Sequence, residues 1–391
     1  MKAPVEVTIH PTSAELIEKG HFWITEDSFT IRFPFAEPLL IGKHKGKKVC
    51  VFLHDPHHKT IKGRVWSLGD KIQFEKELAE RISIAIKNRS GLLEERENYY
   101  LFFGEGDSLP GLFAIRLKDT ILLQYFSTFW RPFTKTIIAQ LKKEVPGITS
   151  VWLQERGIGE QKPPQIADGE RNPLFNIQEF GVNYSLSLTN YYDHGLYTDM
   201  ASLRKKLGPE LKEKKVLNLY CYTGAISLFA LKSGASQVVS VDLSKPYLEW
   251  LDKNMKLNPD LDATKHVSLN MSVQDALKKL LKENQTFDMI ICDPPSASSD
   301  GKKITSALQE YENLLPMLVS LLNKKGKLVP FLNTHQVTLA KFEGRMKAIL
   351  KDKGLEGVLK MNSHIGLGED CPTKKGFPEG SYLKGLIYTK A

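Results

Sequence analysis

The sequence predicts an α/β protein: a doubly wound, Rossmann-like parallel sheet in its second half, preceded by a central α+β domain and a small N-terminal β-barrel-like domain. Three observations predict it. From residue 200 onward, apolar strand-like runs alternate with segments of helical periodicity, the pattern of a parallel sheet flanked by helices. Within that half, residues 214–250 read as one βαβ unit, with a glycine turn after its first strand and an acid, Asp242, at the tip of its second. Residues 1–70, by contrast, hold only short β-like runs punctuated by turn residues. The boundaries that follow are 1–70, 71–190 and 191–391, for a chain of 391 residues that is too long for one ordinary core.

Composition sets the class. Hydrophobic residues make up 41% and charged residues 25%, the balance of a soluble globular protein. The longest apolar runs, such as LLPMLVSLL, fall far short of a membrane span. The N-terminus has no apolar h-region of a secretory signal. Four cysteines lie far apart with no CxxC pair, which points to a reducing, cytoplasmic setting without disulfides or structural zinc. A net charge of +9 suits a polyanionic partner but does not identify one.

The elements follow in order. SFTIRF, PLLIG, KKVCVFLHD and TIKGRVWSLG are the strands of the first domain. His21, Phe22, Trp23, His57, His58, Lys59, Lys62, Arg64 and Trp66 interleave rings and cations there, as RNA binding requires. The core of a small barrel accounts for Trp23 and Trp66 equally well. Residues 71–93 read as a helix, YYLFFGEG, GLFAIRL and TILLQYF as strands, 131–144 as a helix and SVWLQE as a strand. Residues 156–176 read as loop, and 178–188 and 193–199 as β-rich segments.

The chemistry lies beyond residue 200. Val216 to Tyr220 is the first strand, Tyr222-Thr223-Gly224 the turn, AISLFALKSG the helix, and QVVSVD the second strand. An acid about 20 residues past such a turn can accept hydrogen bonds from ribose hydroxyls. Neither GxGxxG nor GxxxxGK[ST] is present, so the usual phosphate cradle is missing. An adenosine without phosphate fits, and S-adenosylmethionine is one. Asp275, where a third strand passes into a helix, either meets the adenine or caps that helix. Asp293-Pro294-Pro295-Ser296 ends the fourth strand, FDMIIC. By itself this is a strand stopped by a proline turn. With the other features it converges on the crevice at the carboxyl ends of the strands.

Five stretches then fall in a familiar order: GEGDSLPG (104–111), DHGLYTDMASLR (193–204), LNLYCYTGAISLFAL, FDMIICDPPSAS and FPEGSYLKG (377–385). On these the chain resembles the bacterial large-subunit ribosomal RNA methyltransferases, which join a PUA domain, a central domain and a class I methyltransferase domain. Their best-known members make 5-methylcytosine. The resemblance implies a PUA-like RNA-binding domain over 1–70 and S-adenosylmethionine as cofactor. It implies donor contacts at Asn218, Tyr220, Thr223, Gly224, Asp242, Asp275 and Asp199. Asp293, Pro294, Pro295 and Asn333 are the implied catalytic set. Ribosomal RNA is the implied partner, with no membrane involved and a homodimer compatible.

The chain departs from this family at three places. Met200-Ala201 stand where Gln-Arg is expected, Cys371-Pro372 where His-Pro is, and Asn333, in PFLNTH, where the family has its cysteine. Methylating cytosine C5 needs a thiolate to add at C6. Cys50 is remote, Cys221 sits in the cofactor loop, and Cys292 should face away from Asp293. That leaves Cys371 as the one candidate for a cytosine-C5 reaction. A ring nitrogen such as guanine N7 needs no nucleophile, only orientation and a charged donor. The segment SKPYLEWLDKNMKLN also resembles the related guanine-N7 domain, so a nitrogen is the expected target. The rival readings are a catalytically weak RNA-binding or assembly protein and a methyltransferase for small molecules or proteins.

Overall fold

The computed structural model describes residues 4–25, 33–34, 37–70, 72–189, 193–295, 297–299 and 304–391. The strand expected at 28–33 lies, but for its last residue, outside the described residues, and so does Ser296. The chain divides into two compact units: one of Met1–Ile177, Leu186–His194 and Glu369–Gly380, the other of Gln178–Ser185, Gly195–Gly368 and Ser381–Ala391. No helix among the described residues is long and apolar enough to cross a membrane.

The first unit holds two five-stranded sheets. One, in spatial order, is Val5–Thr8, Leu39–His44, Lys47–His54, Ile61–Leu68 and Trp23–Thr25. The other is Gln165–Gly169, Ser150–Glu155, Thr120–Tyr125, Leu112–Leu117 and Asn98–Phe103. Two corrections to the sequence reading arise here. Pro11–Glu18 is a helix, started by Pro11 and the His10 ring that accepts the Thr12 N–H. Residues 165–169, expected as loop, add an edge strand to Ser150–Glu155, where polar alternation and a bulge suit an exposed edge.

The GEGDSLPG stretch explains itself in this unit. Glu105 Oε1 accepts from Arg64 (2.9 Å) and from the Trp23 indole (2.8 Å), while Arg64 also donates to Asp55 (3.1 Å). Asp107 takes Arg89 and the Phe103 N–H, both at 2.6 Å. Arg64 is 3% and Trp66 2% exposed, so both serve the core, while His57 and Lys59 of the 57–60 turn are exposed, as are Lys45, Lys47 and Lys48. Removing one partner of a buried pair leaves an uncompensated charge. Glu105→Ala should therefore cost about 3–5 kcal/mol, read as a lowered midpoint in thermal unfolding.

The C-terminal excursion 369–380 completes the same unit. Asp370 accepts from Arg96 (2.9 Å) and the Tyr100 N–H (3.0 Å), and Phe377 packs edge-on against Trp23 with ring centres 4.9 Å apart. Cys371 is buried in this segment.

The second unit carries one seven-stranded sheet: β1 (Lys215–Leu219), β2 (Gln237–Asp242), β3 (His266–Asn270), β4 (Phe287–Cys292), β5 (Leu322–Asn333), β6 (Leu359–Gly366) and β7 (Leu383–Lys390). Their order is β3-β2-β1-β4-β5-β7-β6. The first five run parallel, and β7 is antiparallel to both β5 and β6. Helices α1 (Ala225–Lys232), α2 (Lys245–Lys256), α3 (Val273–Lys282), α4 (Ala307–Leu321) and α5 (Leu339–Asp352) form the crossovers. Continuous apolar runs such as Met289, Ile290, Ile291 and Cys292 are what strands buried on both faces need. This is the doubly wound sheet expected from the alternation. The strand expected at 193–199 is instead an irregular segment ending in a 3-10 turn, Thr198–Met200. Gly195 has φ +103° there, and a Cβ on it would lie 2.3 Å from Trp250.

Candidate active site

The order of the sheet reverses at β1, which has β2 on one side and β4 on the other. Ligands of open α/β sheets sit at such a switch point, outside the carboxyl ends of the strands. The loop leaving β1 is wound through three left-handed residues, Tyr220 (φ +59°), Tyr222 (φ +51°) and Gly224 (φ +81°). Non-glycine residues held there cost of order 1–3 kcal/mol each and persist only where the surroundings fix them.

Several hydrogen bonds fix this loop. The Tyr222 N–H donates to Asp242 Oδ2 (2.9 Å) and the Cys221 N–H to the Val241 carbonyl (3.0 Å). Thr223 Oγ1 donates to the Gly195 carbonyl (2.6 Å), and Asn254 donates to the Thr223 carbonyl (3.0 Å). A Cβ at Gly224 would lie 2.4 Å from Leu251 Cγ. The glycine is thus required by the packing of α2 as well as by its φ.

Asp242, at the tip of β2, is partly buried, and burial raises its carboxyl above the usual range. One oxygen accepts from Tyr222 and the other from the Ser244 N–H (2.9 Å). Each carboxylate oxygen keeps a second acceptor direction, which suits two ribose hydroxyls. Asn270 ties the tip down by donating to the Asp242 and Leu243 carbonyls. Beside the acid, Leu243 is 59% exposed, and the Tyr222 ring lies 5.1 Å from that of Tyr197 and 4.6 Å from that of Tyr247. A preformed backbone turn, a divalent acceptor and an apolar rim fit an adenosine that carries no phosphate.

Three expected donor contacts have other duties in the fold. Asn218 is buried and donates to Ser227 (2.9 Å), which meets Ser240 (2.7 Å), which meets His266 (2.8 Å). Its side chain serves that internal thread because strand alternation turns it to α1. The Thr223 hydroxyl is committed to Gly195, so only the backbone of these two residues is left to meet a donor. Asp275 belongs to the N-cap of α3: its N–H donates to Ser272 Oγ (3.1 Å), whose hydroxyl donates to Asp275 Oδ2 (2.7 Å). It is exposed and lies 3.8 Å from Lys278.

β4 and β5 bring the remaining residues together. Cys292 pairs with Pro330 across the two strands, so Asp293 and Asn333 emerge at neighbouring tips. Tyr311 of α4 ties these tips, its single O–H shared between the carbonyls of Cys292 (2.8 Å) and Phe331 (2.7 Å). Asp293 is partly buried, Pro294 buried, Pro295 and Asn333 exposed. Burial, with the Asp199 carboxylate adding to it, pushes the Asp293 carboxyl up to about 7. Asp199 is 8% exposed and accepts from the Tyr382 hydroxyl at 2.6 Å. Tyr220 is partly buried, and its hydroxyl lies 3.5 Å from Glu310. The sequence reading assigned no role to Tyr382, Lys384, Tyr311 or Leu243. The first two lie in the FPEGSYLKG stretch, which was the available signal.

Cys221 and Cys292, the two thiols of this unit, are buried, and burial raises both well above the ordinary thiol range. Cys50 is likewise pushed up, to about 12.

Residues 151–342 match the family model described as S-adenosylmethionine-dependent methyltransferase. Among curated proteins, "Ribosomal RNA large subunit methyltransferase I" of Shewanella frigidimarina is 26% identical over 98% of both chains. The protein of that name from Tolumonas auensis is 28% identical over 90% of both. Among solved structures, a methyltransferase complexed with SAH (SMU.776) superposes with a TM-score of 0.89, at 20% identity over 98% of this chain and 100% of that one. A SAM-dependent methyltransferase from Streptococcus mutans gives 0.85 at the same identity and coverage. Sheet order, cofactor loop and family match agree: this chain is a class I S-adenosylmethionine-dependent methyltransferase.

Proposed function

We propose that this protein methylates a base nitrogen of large-subunit ribosomal RNA in the cytoplasm, with guanine N7 as the leading candidate. The ribosomal substrate is supported by the curated relatives, which match nearly end to end and carry that name. The observation that carries the nitrogen is that the adjacent strands β4 and β5 lead to Asp293 and end on Asn333, in a unit whose two thiols are buried. Cytosine C5 needs a thiolate, and Cys371, the remaining candidate, is buried in the first unit. In this reading Asp242 holds the ribose, the Tyr220–Gly224 backbone receives the donor, and Asp293 accepts from the base while Pro294 and Pro295 stiffen the loop. S-adenosylmethionine supplies an activated methyl on a sulfonium. Residues 1–70 act as a PUA-like RNA-binding domain, 71–190 as a central domain and 191–391 as the catalytic one.

Tritium from labelled donor should enter ribosomal RNA, and mass spectrometry should place the methyl on a purine nitrogen. RNA containing 5-fluorocytosine should leave no adduct on a denaturing gel. A trapped adduct on Cys371 would return the chain to the cytosine-C5 enzymes. Donor binding without transfer would favour an assembly role instead.

A further inference from the structure

Two polar groups at the start of the C-terminal strand have no part in the roles proposed above: Lys384, buried on β7, and Tyr382, partly buried just before it. Lys384 is 4% exposed, and its ammonium donates to the carbonyls of Thr334 (2.5 Å) and Tyr382 (2.9 Å). The Thr334 N–H donates to the same Tyr382 carbonyl (3.0 Å). The residue after Asn333 is thus fastened twice to the residue before β7. Among the described residues this ammonium has no carboxylate partner, and burial lowers it to about 8. Burying a charge on carbonyls alone is expensive, and what it secures is the place of Tyr382, whose hydroxyl reaches Asp199.

We propose that Tyr382 is a positioning residue for methyl transfer: its hydroxyl holds Asp199 as an anion, so that Asp293 is the carboxyl that carries the proton of the pair. This rests on the reading that Asp293, once ionised, accepts a hydrogen bond from the target base. Of two carboxyls whose charges repel, the one with the better hydrogen-bond donor stays ionised and the other holds the proton. Asp199 accepts from Tyr382, and the charges of Asp293 and of the Arg204 guanidinium act on it. Arg204 is itself clamped by both oxygens of Glu179 (2.6 and 2.8 Å). Asp293 is faced by Asp199, with Cys292 behind it on β4 and Tyr311 on α4, and Glu310 turned to Tyr220. Tyr382, just before β7, brings a hydroxyl to Asp199.

The test is the pH dependence of single-turnover methyl transfer to ribosomal RNA by the wild type, Tyr382→Phe and Asp199→Asn. Without its donor Asp199 takes up the proton, Asp293 faces a neutral neighbour, and the midpoint of the rising limb should fall by about one pH unit. Asp199→Asn should move it the same way. A purely structural Tyr382 would change thermal stability and leave the midpoint alone. A midpoint that stays or rises in Tyr382→Phe overturns the assignment. Where a variant does not turn over, the Asp293 carboxyl is titrated by carbon NMR, with its resonance identified by Asp293→Asn. Should Tyr382→Phe not fold, Lys384→Met loosens the same residue from its backbone side and should shift the midpoint downward. Wild-type protein that transfers nothing to RNA refutes the proposed function, while the NMR titration still decides the role of Tyr382.

Discussion

Asp293→Ala should lose methyl transfer by about a hundredfold, since a hydrogen bond to a charged group is worth about 1.5–3 kcal/mol, while S-adenosylmethionine affinity and fold are kept. The carboxyl follows the end of β4 and is held up at about 7 by burial and by Asp199. As an acceptor it works ionised, so transfer should rise with pH through about 7 and level off above it. Its effect on stability has the opposite sense. The unfolded chain releases this proton near 3.8, and the folded chain holds it to about 7. Between those values the folded state binds the extra proton, so stability falls as pH rises across that window. Asp293→Asn should remove both effects: an inactive protein whose melting temperature exceeds that of wild type at pH 8 and matches it near pH 4. An Asn variant that keeps the rising limb would assign the ionisation to another group.

Asp242→Ala should weaken S-adenosylmethionine binding by at least about a hundredfold, since each hydrogen bond to a charged group is worth about 1.5–3 kcal/mol. Two losses coincide. The ribose acceptor disappears, and Tyr222, held at φ +51°, loses the carboxylate that takes its N–H. Asp242→Asn separates them, because its amide oxygen can still accept from Tyr222 or Ser244 but its NH2 must face the other donor. Calorimetry on the two variants should show an intermediate affinity for Asn. Equal affinities for wild type and Ala would remove Asp242 from the cofactor site.

The parallel sheet was legible because its evidence is local: apolar runs of strand length, helical periodicity between them, and a glycine turn at Gly224. So was the convergence of Asp242 and Asp293, which follows from strand tips sharing one end of a parallel sheet. The rest depended on contacts remote in sequence. Nothing near Arg64 announces that its partner is Glu105, so a core arginine read equally well as an RNA contact. The 193–199 stretch carries β-type residues, yet Gly195 is bound to Thr223 and Tyr222 and cannot extend. The hydroxyl of Tyr382 acquires meaning only once Asp199, 183 positions earlier, is seen to accept from it.

The return of residues 369–380 to the first unit has a consequence for how the protein is made. A ribosome delivers Arg96, Tyr100 and Trp23 early and their partners Asp370 and Phe377 nearly last. Until those arrive, an arginine destined for burial waits without its counter-charge, and the N-terminal sheets wait for the aromatic ring that closes them. Chains usually finish their N-terminal domains during synthesis. This one must hold its first-made part open until the whole catalytic sheet but its last strand has been translated, so an N-terminal fragment should fold poorly unless residues 369–380 are supplied as a separate peptide.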